Sequence, residues 1–374
     1  MQISFLDLRR EHEEVGDETK ATVERVLDSG AYVLGHEVQA FEREWARHCG
    51  VRGCAGVGNG TDALTLALLA SGAVRPGKRD EVITTPLTAG YTALAILNAG
   101  GVPVFADIDP ETYLLAPTTL ERALTPRTRA IVPVHLYGLI ADMEAVCEFA
   151  TRRGLTVIED AAQAHGARLG VRRAGAWGHA AAFSFYPTKN LGAYGDGGAV
   201  TSDDTQLITR VKELRQGGHP QGLGGHVAGR NSRLDEVQAA ILRIKLRRLD
   251  GWNRRRRQMA RMYQRLLGRA GGQLVLPSPR AESDSHVFHL YVVRHPMRER
   301  LRAHLAARGV NTMIHYPSPL HLLPLFRRRA QHALPVAEAM TNEIFSLPLY
   351  PQLRDDELRT VAEAVLDFVA QEAR

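Results

Sequence analysis

From about residue 50 to residue 200, short apolar blocks alternate with amphipathic stretches. Ala130–Val134, Thr156–Ile158 and Ala181–Phe185 are too short for helices and rich in small, β-branched and aromatic residues, as strands buried on both faces would be. Between them, segments such as Asp142–Arg152 carry apolar residues at three- and four-residue spacing, which predicts helices. Strand and helix in regular alternation predict an α/β fold with a mostly parallel sheet. Further on, the spacing predicts a helix from Arg233 through Leu249 and another from Asn253 to Leu267. After loop text from Gly268 to Pro279 come strand text (His286–Val293), a helix (Arg298–Arg308) and a last helix from Asp355 to Glu372. We read these as a smaller α/β domain closing over a site in the larger one. At roughly 150 residues per domain the length fits two, divided as 1–250 and 251–374. No internal repeat is evident.

The chemistry concentrates at strand ends. Lys189 lies in Phe183-Ser184-Phe185-Tyr186-Pro187-Thr188-Lys189-Asn190-Leu191-Gly192, between an apolar strand and the glycine-rich Gly195–Gly198 loop. A lysine so placed can form a Schiff base with an aldehyde cofactor. The other lysines offer little competition: Lys20, Lys212 and Lys245 fall in charged helical text, and Lys78 in a Pro/Gly turn. Thr156-Val157-Ile158-Glu159-Asp160 reads as a strand ending in a carboxylate, and ligands of open α/β sheets bind past such ends. Asp160 can pair with a pyridinium nitrogen, Gln163 can donate to the ring's phenolate, and the small Ala162 lets a ring pack closely. His165 reads as structural. Gly58-Asn59-Gly60-Thr61-Asp62 opens the apolar run Ala63–Ala70, so its free N–H groups and helix dipole can receive a phosphate. The plain alternative there is N-capping by Thr61 or Asp62. Neither Walker nor dinucleotide-binding spacing is present.

In this order, the three pieces resemble the pyridoxal-phosphate-dependent sugar aminotransferases of the DegT/DnrJ/StrS type. The resemblance extends over nearly the whole chain, through Phe5–Leu8, Ser29–Gly35, Val102–Asp109, Pro133–Gly138, Asn231–Ala240 and His315-Tyr316-Pro317. It implies a fold-type-I aminotransferase with pyridoxal 5'-phosphate joined to Lys189, Asp160 on the ring nitrogen and Gln163 on the phenolate. It places Gly60, Thr61, Asp62 and Ser184 around the phosphate, with Asn231 reaching that phosphate from the partner of a homodimer. The amino donor it implies is glutamate. The acceptor is a nucleotide-linked ketosugar, and the His315, Tyr316 segment resembles members that aminate C3 of a dTDP-3-keto-6-deoxyhexose, which makes both residues substrate-binding. One position departs from the family. Ala89 stands where an aromatic ring stacks on the cofactor, and Tyr91, on the same side of an extended segment, is the candidate to replace it. A cyclitol aminotransferase and a non-catalytic regulator on the same scaffold are the rival readings. A dehydratase without the lysine is disfavoured by Lys189.

Composition narrows the class further. The 44% hydrophobic content supports a large core, and the apolar runs fall short of the roughly 18 residues a membrane helix needs. The start Met1–Phe5 has no signal-peptide pattern. Cys49, Cys54 and Cys147 form neither metal spacing nor an even disulfide set, so a reducing cytoplasm is expected and no metal. The net charge of +6 comes from arginine. The clusters Arg254–Arg257 and Arg327–Arg329 lack interleaved aromatic residues, so we expect solvated helix faces and no nucleic-acid partner.

Overall fold

The computed structural model describes residues 2–218, 228–271, 274–278, 284–327 and 333–372. Its strands are β1 (Gly53–Val57), β2 (Glu81–Thr84), β3 (Val102–Phe105), β4 (Thr128–Val132), β5 (Thr156–Asp160), the ribbon β6 (Arg168–Leu169) and β7 (Arg172–Arg173), β8 (Ala180–Ser184), β9 (Gly198–Ser202), β10 (Tyr291–Arg294) and β11 (Ile344–Leu347). The helices are α1 (Leu8–Ser29), α2 (His36–Cys49), α3 (Gly60–Ala70), α4 (Tyr91–Asn98), α5 (Leu120–Ala123), α6 (Met143–Arg153), α7 (Thr205–Leu214), α8 (Glu236–Leu267), α9 (Arg298–Ala307), α10 (Pro324–Arg327), α11 (Pro335–Met340) and α12 (Asp355–Glu372).

Seven strands form one sheet in the order β1-β9-β8-β5-β4-β2-β3. Only β9 runs antiparallel to its neighbours there. Successive side chains of each strand enter opposite layers, as the period of two requires. Ile83, Ile131, Val157 and Phe183 join the core that includes α2 and α6, whereas Val82, Val132, Ile158 and Ala182 join the core built with α3 and α7. A third core gathers Ile3, the second half of α8, the β10–β11 hairpin, α9 and α12. Among the described residues no helix is long and apolar enough to cross a membrane.

Several expectations change. The two helices predicted over 233–249 and 253–267 are one, α8, and the division expected at 250/251 falls inside it. Gly251 lies in the gap between those two predicted helices, but the helix, packed against α1, α2 and α12, runs through it. The strand text of 286–293 becomes a strand only at Tyr291–Arg294. The arginine cluster is not wholly solvated. Arg256 is buried and its Nη1 donates to the carbonyls of Phe288 (3.1 Å) and Leu349 (3.0 Å), Arg255 pairs with Asp355, and Arg257 with Asp284. Arg328 and Arg329 lie outside the described residues.

Candidate active site

β5 and β8 are adjacent and parallel, with Asp160 level with Ala182. Their C-terminal ends therefore deliver Asp160 and Ser184 to one edge of the sheet, with Lys189 five residues further on. The consecutive carboxylates of β5 point to opposite faces and differ in what they touch. Glu159 is fully buried and saturated: it accepts from the N–H groups of Gly175, Trp177 and Gly178 and from His135. It is an internal brace. Asp160 accepts 2.8 Å from the Thr92 hydroxyl and 3.2 Å from the Ala162 N–H. Thr92 in turn sits 3.1 Å from the Thr88 hydroxyl. This oriented carboxylate borders the site.

Lys189 is half-buried, and its amine has no hydrogen-bond or ion-pair partner among the described residues. Burial pushes the amine down to about 8, and the Asp160 carboxylate offsets part of that. A lysine in this state supplies free amine near neutrality, as a nucleophile requires. Lys245, expected on a charged helical face, is fully buried, but its ammonium is committed. It donates to Glu11 and to the Gly192 carbonyl (2.8 Å) and lies 4.2 Å over the Tyr194 ring. The loop after Lys189 rests on that brace.

Against Ser184, α3 begins with Gly60. A Cβ there would come within 2.5 Å of Ser184 Cβ, and one on Gly198 within 2.4 Å of the Asn59 carbonyl oxygen. Glycine at both positions lets the helix start touch the strand ends. The cap is Asn59, not Thr61 or Asp62: its side chain accepts from Asp62 N–H at 2.8 Å and donates to the Asp62 carboxylate. Asp62 is thus spent on the cap. The N–H groups of Gly60 and Thr61 and the Thr61 hydroxyl keep no partner among the described residues. Ser184 Oγ accepts from Tyr186 N–H at 3.3 Å and keeps its own hydrogen to donate. Ser232 closes the turn from behind, accepting from Gly58 N–H at 3.0 Å.

Gln163 is buried, and its carbonyl accepts from Tyr137 N–H at 2.7 Å while its amide donates to Tyr316 Oη at 3.1 Å. The Tyr137 hydroxyl donates to the His315 carbonyl. His315 Nδ1 lies 2.8 Å from Ser346 Oγ, and burial with the nearby Lys189 charge pushes its imidazole down to about 4, so it is neutral. His165 is structural, donating to the Ser184 carbonyl at 2.9 Å among Phe183, Phe185 and Trp45. Sequence reasoning gave no role to Thr92, Tyr137 or Ser232. Tyr137 and Ser232 fall within the Pro133–Gly138 and Asn231–Ala240 blocks, but what they do depends on what folding brings beside them.

Two expected residues stand apart. Tyr91 does not lie in an extended segment. It is the first residue of α4, 66% exposed, and helical spacing turns it away from the side of Ala89. Asn231 is also exposed, opposite Gln216 in a short antiparallel bridge.

A model of the DegT/DnrJ/EryC1/StrS aminotransferase family matches residues 13–366. The chain belongs to this family. Among its relatives is the dTDP-3-amino-3,4,6-trideoxy-alpha-D-glucose transaminase of Streptomyces venezuelae, 46% identical over 98% of this chain and 96% of that one. Another is a protein of Geobacillus stearothermophilus named a pleiotropic regulatory protein, 44% identical over 98% and 99%. The crystal structure of S. venezuelae DesV in complex with a ketimine intermediate has a TM-score of 0.93 at 46% identity, covering 98% of both chains. The fold is that of the fold-type-I aminotransferases, and the mostly parallel sheet expected from the sequence is present.

Proposed function

We propose that this aminotransferase moves an amino group from glutamate to C3 of a dTDP-3-keto-6-deoxyhexose, using pyridoxal 5'-phosphate. The observation that carries the reading is Lys189: an amine with no partner among the described residues, just past the end of β8 and near Asp160, with the β8 end itself packed on a helix start whose first N–H groups are uncommitted. These residues fit the cofactor. Gly60, Thr61 and Ser184 offer donors to a phosphate, Ala162 leaves room for a ring, and Gln163 turns its amide outward because Tyr137 fixes its carbonyl. Bound there, the cofactor supplies an electron sink next to the carbon that loses its proton. Asp160 holds the proton on the ring nitrogen. Lys189 would hold the cofactor through its amine, and that amine, when free, would carry the proton as general base at the reacting carbon. His315, neutral and close to Lys189, faces the sugar.

The substrate assignment rests on the relative that acts as a dTDP-amino-sugar transaminase and on the His315-Tyr316-Pro317 segment. The working unit in this reading is a cytoplasmic homodimer. Arg230 and Ser232 turn toward the α3 start of their own chain, Arg230 lying 3.8 Å from Asp62. In an extended segment Asn231 then points the other way, toward a partner.

The test is to add glutamate to cofactor-loaded protein. The visible absorbance should convert to that of the amine form with release of 2-oxoglutarate, and the loaded amine should then pass to the dTDP-ketosugar. A relative named as a regulator favours one second reading, an inert site on the same scaffold. Absorbance that ignores every amino donor would establish that reading instead. Amination of a cyclitol ketone but no nucleotide sugar would reassign the acceptor alone.

A further inference from the structure

Tyr316 comes from the C-terminal part of the chain, yet its hydroxyl is held by the large sheet's own apparatus. Tyr137 holds both sides of this contact. Its hydroxyl binds the His315 carbonyl, one peptide before the tyrosine, and its N–H fixes the Gln163 carbonyl at 2.7 Å. With the carbonyl fixed, the orientation of the Gln163 amide is decided. Its nitrogen has two hydrogens. One goes to Tyr316 Oη at 3.1 Å, and the other is left for the site. A phenol that accepts one hydrogen bond still has its own hydrogen to give. Burial pushes this phenol up to about 12, so it is protonated throughout the working pH range. The Asp160 carboxylate contributes to that shift, which puts the hydroxyl near the residue that receives the ring nitrogen. Two donors from distant parts of the chain thus sit 3.1 Å apart, beside the lysine and the aspartate, where one acceptor could be bracketed.

We propose that Tyr316 donates to the same cofactor phenolate oxygen as Gln163, so that it tunes the cofactor and is not a ligand of the sugar. The proposal rests on the cofactor reading above and departs from the substrate-binding role expected for Tyr316. A second donor stabilises negative charge on that oxygen. It thereby loosens the oxygen's hold on the proton shared with the nitrogen of Lys189. Removing the donor makes the oxygen more basic and strengthens that hold.

The measurement is a pH titration of the visible band of the cofactor-loaded protein, without substrate. Wild type, Tyr316→Phe and Gln163→Leu are compared, together with cofactor affinity and the KM for the nucleotide sugar. In Tyr316→Phe the midpoint of the band should rise by roughly 0.5–1 pH unit, in the same direction as in Gln163→Leu, with the KM for the sugar little changed. A midpoint that stays put while that KM rises makes Tyr316 a sugar ligand and overturns the proposal. If the melting temperature of apo Tyr316→Phe drops sharply, Tyr316→Met removes the hydroxyl with a different side chain and must give the same rise. Wild-type protein that takes up no cofactor overturns the functional reading and this proposal with it; a normal band with an unmoved midpoint overturns this proposal alone.

Discussion

At the scale of the residue, the lysine that equips the site also weakens the apo protein. A base pushed down to about 8 from an ordinary value of 10.5 is disfavoured as ammonium by its surroundings. Below about pH 8 both folded and unfolded chains hold the proton, and the full cost, up to about 3 kcal/mol, is present. Between about 8 and 10.5 the unfolded chain binds more proton than the folded one, so stability rises with pH and the cost disappears. Apo Lys189→Met should therefore melt above wild type at pH 7, and the two melting curves should converge as pH approaches 10.5. A constant difference would mean the amine is not desolvated. Thr92 gives a second test. Thr92→Val removes the hydroxyl that orients Asp160 and, at about 1.5 kcal/mol for a bond to a charged group, should lower turnover roughly tenfold with cofactor still bound. Asp160→Asn should lower it by orders of magnitude. Lys189 and Asp160 are legible in the sequence because Asp160 ends one apolar strand and Lys189 follows another by a few residues, before a glycine-rich loop. Thr92 is not: it lies 68 positions from its partner.

At the scale of the element, α3 and α8 behave differently from their text. The first turn of α3 needs glycine on both sides of its contact with β8 and β9. A Cβ on Gly198 would meet only backbone atoms: Asn59 O at 2.4 Å, Asn59 C at 2.5 Å and Gly60 N at 2.9 Å. None of these can rotate away, so the helix start must move. Gly198→Ala should weaken cofactor binding at least tenfold by equilibrium dialysis, and unchanged affinity would remove this turn from the site. In α8, Gly251 has ordinary helical backbone and open space, with Arg254 Nη2 at 3.8 Å as the one atom its Cβ would near. Gly251→Ala should raise stability by about 0.5–1 kcal/mol in denaturant unfolding. Periodicity located both helices. It could not decide whether a glycine ends one, because the contacts with α1, α2 and α12 that override it are remote in sequence.

At the scale of the whole molecule, the site depends on a seam. The C-terminal half sends His315 and Tyr316 to Tyr137 and Gln163, and Val287 O to Asn190. α8 runs from one core to the other without a break. The second seam is the one we propose between subunits. If Asn231 serves the partner's phosphate, mixing Lys189→Ala with Asn231→Trp, each inactive alone, gives heterodimers in which one site carries both lesions and the other is whole. Activity should partly return after subunit exchange. Verified exchange without recovery would return Asn231 to its own subunit.

The sequence by itself determined what local patterning encodes: alternating strands and helices, a carboxylate at one strand's end, a lysine just past another, and a glycine turn opening a helix. Each is set within a few residues by side-chain period, φ freedom or capping chemistry. Only the tertiary structure decided which of two sequestered lysines is free, the half-buried Lys189 or the buried Lys245, which of two adjacent carboxylates faces the site, that Asn59 and not its neighbours caps α3, and that an arginine in a charged run is internal. Those outcomes turn on hydrogen-bond partners brought together across tens or hundreds of residues. A buried polar group is defined by the partner that satisfies it, and sequence spacing does not show that partner.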